Sequence, residues 1–149
     1  MRRTEIAINP AWLVEGDHSF GGGCDAAKKI LALSERPTAI MCSNDLTAIG
    51  VQHALFRAGF NMPDGFSVIG FDDVQMAEYT IPPLTTIRVL WRELARAAVQ
   101  ILVFRSTSPE CRKESRAQVR IGTRLVVRRS TARPKAAGPI ATEAFVQQR

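Results

Sequence analysis

Short unbroken apolar runs alternate along this chain with longer stretches of helical character. The run 6–14 is apolar and closes on Glu15-Gly16-Asp17-His18, the end of a strand entering a loop. Gly21-Gly22-Gly23 reads as a flexible turn, and 25–33 has helical composition up to the stop at Arg36-Pro37. The run 38–42 carries no polar alternation, the pattern of a strand covered on both faces. Ser43-Asn44-Asp45 forms a turn and N-cap, with Asp45 a capping residue first, and the helix 46–58 ends at Gly59. A second buried strand, 66–71, runs into Asp72-Asp73, and Pro82-Pro83 marks an extended crossing. A strand at 85–89, an amphipathic helix at 93–104, a polar loop at 107–116 and closing strands at 118–121 and 125–128 follow. From Ala132 the chain is rich in Ala, Pro and Gly, with weak helical potential at 142–148. This divides the chain into a domain at 1–131 and a tail at 132–149.

Strands that alternate with helices and are buried on both faces specify an α/β fold around a parallel sheet. With 46% hydrophobic residues in 149, the chain can build such a core. No apolar run approaches the roughly 20 residues that span a bilayer, so no membrane partner is expected. Arg2-Arg3 has no apolar stretch behind it, so no secretory leader is expected and the cytoplasm is the expected compartment. The net charge of +6 raises nucleic acid as a partner. Much of the excess falls late, at Arg112-Lys113, Arg116, Arg120, Arg124, Arg128-Arg129 and Arg133 to Lys135, with no aromatic residues between them. That pattern fits a solvated strand edge and a basic tail better than a base-stacking surface. Cys24, Cys42 and Cys111 are odd in number and widely spaced, which argues against disulfides and a zinc knuckle.

In open parallel sheets, ligands bind beyond the carboxyl ends of the strands. Three strands here end in Gly16-Asp17-His18, Ser43-Asn44-Asp45 and Phe71-Asp72-Asp73, all short and polar. Carboxylates and amides gathered at one rim pair with vicinal hydroxyls or a ring N–H. Asp73 has a possible capping role, and Asp17 a role in opening the glycine turn; Asn44 and Asp72 have less need of one. A magnesium-dependent phosphoryl-transfer site lacks its usual companions, since D-x-D-x-T, G-x-x-x-x-G-K-[ST] and G-x-S-x-G are all absent. No enzyme activity, metal or cofactor is expected.

Longer motifs sharpen this. Arg36-Pro37-Thr38-Ala39-Ile40 with Ser43-Asn44-Asp45-Leu46-Thr47-Ala48-Ile49-Gly50 resembles the "RPTAI…NDxxAxG" segment of LacI/GalR (lactose-repressor-type) regulators. Val68-Ile69-Gly70-Phe71-Asp72-Asp73, then Pro82-Pro83-Leu84-Thr85-Thr86-Ile87, is similar to their "SVIGFDD…PPLTTI", and 125–131 to their "LxVRxST". The resemblance implies a periplasmic-binding-protein-like (type I) fold with a three-layer parallel sheet, represented in part and mainly by the second of two subdomains. It implies that a helix at 91–104 belongs to the first subdomain, and that a further strand and helices stand upstream of Ile6 in the family. Without them, strands such as 38–42 are expected to keep an unpaired edge or an uncovered face.

By the same resemblance the function is effector sensing, with a sugar the first candidate and a nucleobase the second. Asp72, Asn44, His18 and Asp17 are the expected effector-binding residues, and His18 stands where the family often carries a stacking ring. Operator DNA is reached only through an amino-terminal head outside this chain. A transport-type sugar-binding protein of the same fold is the alternative. The helix 46–58 has two apolar stripes, and a helix on a sheet needs one. Leu46, Ile49, Gly50 and His53 form the second, expected at a homodimer interface as the family implies.

Overall fold

The computed structural model describes residues 9–107, 119–133 and 144–148. A six-stranded sheet organises them, built from β1 (Val14–Gly16), β2 (Ala39–Cys42), β3 (Ser67–Asp72), β4 (Thr85–Val89), β5 (Thr123–Val126) and β6 (Ala144–Gln148). Its spatial order is β1-β6-β2-β3-β4-β5. Every pairing is parallel except β4 with β5, which is antiparallel. The helices are α1 (Phe20–Leu31), α2 (Asp45–Arg57), the short α3 (Met76–Tyr79) and α4 (Trp91–Thr107).

Register assigns the faces. Ile40 lies beside Val68, and Gly70 beside Thr86. These four, with Cys42, are buried beneath α2. The core continues through Ala48, Val51 and Leu55 of α2, Ala26, Ala27 and Ile30 of α1, and Trp12 and Val14. Met41, Ile69, Phe71 and Ile87 on the opposite face are only half-buried. The start of the antiparallel edge is stitched by the segment 128–131. Ser130 Oγ donates to Val68 O at 2.6 Å and accepts from Thr85 N at 2.8 Å, which accounts for the buried serine of the "LxVRxST" stretch.

Several sequence expectations change. Gly21-Gly22-Gly23 is not a turn: α1 starts at Phe20 and is capped by Ser19, whose hydroxyl accepts from Gly22 N at 2.9 Å. The glycines belong in the helix because α1 and α2 cross in backbone contact. A Cβ on Gly23 would collide with the Thr47 carbonyl, and one on Gly50 with the Phe20 carbonyl. The apolar start at 6–14 does not run as one strand, because a 3-10 turn at Pro10–Trp12 precedes β1. Residues 119–122 form no strand, and α2 ends as expected with Gly59 at φ +82°. The helical potential at 142–148 is overridden, since this segment is β6 and lies between β1 and β2. The expected unpaired edge of β2 is therefore filled, while its second face remains half-covered. The polar loop, the expected strand's start at Gln118 and Cys111 fall largely or wholly outside the described residues.

α4 presents Trp91, Leu94, Val99, Leu102, Val103 and Phe104 to solvent. A mainly apolar hollow of about 420 Å³ lies between this helix and Val119, Arg120 and Ile121.

Candidate effector site

The carboxyl ends of β1, β2 and β3 come together as polar loops. After β1, Asp17 Oδ1 accepts from Ser19 N at 3.0 Å and from Ser19 Oγ at 2.6 Å. Those bonds hold the exposed carboxyl of Asp17 below its usual range. His18 follows with φ +64°, exposed to solvent. After β2, Asn44 caps α2: its Oδ1 accepts from Thr47 N at 2.8 Å, while its Nδ2 donates to His18 O at 3.1 Å. One amide thus joins two of the three strand ends. After β3, Asp72 is half-buried with φ +114°. Burial, then the nearby Asp45 charge, pushes its carboxyl up, against a smaller pull from His18.

Asp72 and Asp73, whose φ is +59°, adopt left-handed backbone in succession. Among the described residues, the non-glycine positions with positive φ are these two and His18. All three stand at this rim. Such backbone costs of order 1–3 kcal/mol each and persists only where the surroundings enforce it.

Two carboxylates enforce it here. Asp45 is fully buried; its Oδ2 accepts from Val74 N at 2.8 Å and its Oδ1 from Thr86 Oγ1 at 2.5 Å. A Cβ on Gly70 would strike the Asp45 carboxylate, so glycine on β3 is what admits it. Burial pushes the Asp45 carboxyl up, and the Thr86 and Val74 hydrogen bonds pull it partly back. Asp73 accepts from Arg88 Nε and, at 2.7 Å, from Arg128 Nη2. Burial would raise its carboxyl, but the two guanidinium groups outweigh that and hold it below the usual range. Among the described residues no group of three or more His, Cys, Asp or Glu side chains is arranged to hold a metal.

The arrangement has relatives. A profile of the periplasmic binding protein-like domain matches residues 2–131. The chain belongs to this domain family. Within it, the chain is 38% identical over 114 residues to the ribose operon repressor of Escherichia coli strain K12, covering 76% of this chain and 34% of the repressor. It is 35% identical over 130 residues to the HTH-type transcriptional repressor PurR of Haemophilus influenzae strain PittEE, covering 87% of this chain and 39% of PurR. The chain thus spans little more than a third of the length of these relatives. Among solved structures, a putative LacI transcriptional regulator from Bacillus cereus subsp. cytotoxis superposes with a TM-score of 0.78 at 30% identity, over 88% of this chain and 45% of that one. A LacI family regulator from Enterococcus faecium, solved with bound ribose, gives 0.67 at 32%, over 79% and 42%. The family and the α/β fold expected from the motifs are both borne out.

Membership in the domain family does not itself place the site, but the geometry locates each expected residue. Asp17, His18, Asn44 and Asp72 all stand at the common rim. Asp45 is no cap: Asn44 takes that role, and Asp45 turns inward beneath β3 and β4. Asp73 caps nothing either, because Gln75 precedes α3 and Asp73 engages the two arginines. Arg128, grouped by sequence with a solvated basic edge, is part-buried and also donates from Nη1 to Leu84 O at 2.9 Å. The signal for the Asp73 clamp was present as Arg88 and Arg128 on strand-like stretches, but only the β3–β4–β5 register joins them. Of the second α2 stripe, Leu46 and His53 are exposed, Ile49 leans on the core, and Gly50 is buried under α1. His53 packs its ring 5.4 Å from that of Phe20.

Proposed function

We propose that this chain is the effector-sensing part of a transcription regulator, and that a small polyhydroxylated ligand, a sugar before a nucleobase, sits at the carboxyl ends of β1, β2 and β3. The observation that carries this reading is the gathering of Asp17, His18, Asn44 and Asp72 on strand ends whose three left-handed residues are all at the same rim. Such a rim offers acceptors at Asp17 and Asp72, an amide at Asn44 and an imidazole face at His18. The names of the relatives, among them the ribose operon repressor, and the ribose in one structural neighbour point to the same ligand class.

In this reading the effector domain occupies 1–131, and the segment 132–149, expected as a tail, adds β6 to its sheet. The exposed apolar side of α4 rests on the remainder of a longer regulator. Ligand binding shifts how two subdomains close and so changes operator affinity through differential binding to two states. Regulators of this kind work in the cytoplasm as homodimers, with Leu46, Ile49 and His53 of α2 toward the partner subunit; Gly50, expected beside them, is instead taken up by the crossing with α1. No catalysis is involved.

The test is Asp72→Ala in the full-length regulator, with operator release followed against D-ribose. Each hydrogen bond lost from a ligand hydroxyl costs about 1–3 kcal/mol, so the midpoint should move by roughly 5- to 150-fold with operator affinity unchanged. Coincident curves for a ribose-responsive wild type would mean that Asp72 is structural and the site lies elsewhere.

A further inference from the structure

Asn44 and Asp45 are consecutive residues at the start of α2, and between them they bind both neighbouring strand ends. Asn44 Nδ2 donates to His18 O at 3.1 Å, which ties the loop after β1 to α2. Asp45 Oδ2 accepts from Val74 N at 2.8 Å, which ties the loop after β3 to the same turn of helix. The other oxygen, Oδ1, accepts from Thr86 Oγ1 of β4, and Gly70 leaves room for the carboxylate. One dipeptide therefore sets how far apart the three polar loops stand.

The loop after β3 needs that hold. Asp72 is still paired with Arg88 in the β3–β4 register. From there the chain passes through two left-handed residues, at φ +114° and +59°, before Val74 reaches Asp45. Non-glycine backbone of this kind relaxes unless its surroundings hold it. The Asp73 side chain is taken up by Arg88 and Arg128. The Asp72 carboxyl, half-buried at the rim, has no hydrogen-bond partner among the described residues. Its position is thus inherited from the backbone on either side, β4 beside it and the Asp45 bond after it. Asp45 itself is fully buried, out of reach of a ligand at the rim.

We propose that Asp45 is a positioning residue for effector capture: through the Val74 N–H it holds Asp72 at a fixed span from Asn44, so that one polyhydroxylated ligand meets both. This rests on the reading of the rim as the effector site. An unpaired carboxylate and a spare amide valence on neighbouring strands serve adjacent hydroxyls well only when their separation is fixed beforehand. Without the bond to Val74 the left-handed pair relaxes, Asp72 moves relative to Asn44, and restoring the span costs binding free energy.

The full-length regulator tests this, with D-ribose as the probe and isothermal titration calorimetry as the readout. Asp45→Ala removes the acceptor for Val74 N, and Kd should rise by roughly 5-fold or more, the loss that follows from one misplaced hydrogen-bond acceptor. Asp45→Asn keeps an oxygen for Val74 N and turns an N–H toward Thr86 Oγ1, so it should bind within about 5-fold of wild type. Val51→Ala, in the core beneath α2 and away from the rim, lowers stability but should also leave Kd within about 5-fold. If Asp45→Ala does not fold, Asp45→Ser replaces it, since serine favours a helix start but its hydroxyl stops short of Val74 N. An Ala or Ser variant that binds D-ribose like wild type, or an Asp45→Asn variant as weak as they are, overturns the proposal. So does an equally weak Val51→Ala, because the effect would then follow stability alone. Asp72→Ala is measured in parallel. If it binds like wild type, or wild type does not bind D-ribose, the site reading fails and the proposal with it. If Asp72→Ala weakens binding and the Asp45 variants do not, the site stands and only the role of Asp45 is overturned.

Discussion

Thr86→Val probes the buried carboxylate beneath the site. The change keeps the branched shape and strand propensity of the side chain but removes the hydroxyl that donates to Asp45 Oδ1 at 2.5 Å. Both residues are completely buried, so no water replaces the lost donor. A hydrogen bond to a charged acceptor contributes about 1.5–3 kcal/mol, and the added methyl offsets less than ~1 kcal/mol because it faces a carboxylate. The net loss should be about 2 kcal/mol, lowering Tm by roughly 4–8 °C for a chain of this size. Urea unfolding of the full chain, followed by far-ultraviolet circular dichroism, measures it as a lower midpoint at unchanged slope. The pH dependence is the sharper test. Asp45 already has a raised carboxyl in the folded state, and Thr86 is one of the groups pulling it down. Without Thr86 it rises further. A raised carboxyl favours the folded state as pH falls through its folded value toward the unfolded one, so the variant regains more stability on acidification than the wild type. The gap should narrow as pH drops toward the ordinary carboxylate range. A gap below ~0.5 kcal/mol at pH 7, or one that widens on acidification, would refute the assignment of Asp45 as an ionised keystone.

Other outcomes follow from the same geometry. Asp73→Asn should cost about 2–3 kcal/mol at neutral pH, mostly through part-buried Arg128, because the half-exposed Arg88 contributes less. Since the folded Asp73 carboxyl is held below its usual value of 3.8, that loss should begin to shrink near the usual value and vanish only once pH has fallen through the lower folded one, as chemical unfolding across an acid series would reveal. Leu46→Arg, on the exposed part of the α2 stripe, should convert a complete regulator to monomers in sedimentation; an unchanged dimer would remove α2 from the interface. The chain alone should bind DNA weakly, with steep salt dependence and no preference for an operator over scrambled DNA in fluorescence anisotropy.

Much of the fold was legible because its signals are local. The unbroken apolar stretches of β2 and β3, the helix stop at Gly59 and the "PPLTTI" run each occupy a few consecutive residues. The three polar strand ends followed from them, and with them the candidate site. What escaped depends on contacts between distant segments. Asn44 and Asp45 are both good capping residues, and only the pocket made by Gly70 and Thr86 decides that Asp45 turns inward. The glycine triplet was misread because its reason is the Thr47 carbonyl, 24 residues from Gly23. β6 was misread because five residues with helical propensity were captured by a gap between two strands more than a hundred residues earlier.

Asn44 has four hydrogen-bonding positions: two lone pairs on its oxygen and two protons on its nitrogen. Capping α2 occupies one lone pair, and holding the His18 carbonyl occupies one proton. One acceptor and one donor are left on a single planar group whose orientation those two bonds already fix. A hydroxyl arriving there is met by a valence set aside for it, with no rotamer left to freeze and no helix cap to surrender. Changing the residue to aspartate would keep the cap and the shape but remove both protons, leaving the His18 carbonyl and the newcomer to compete for nothing.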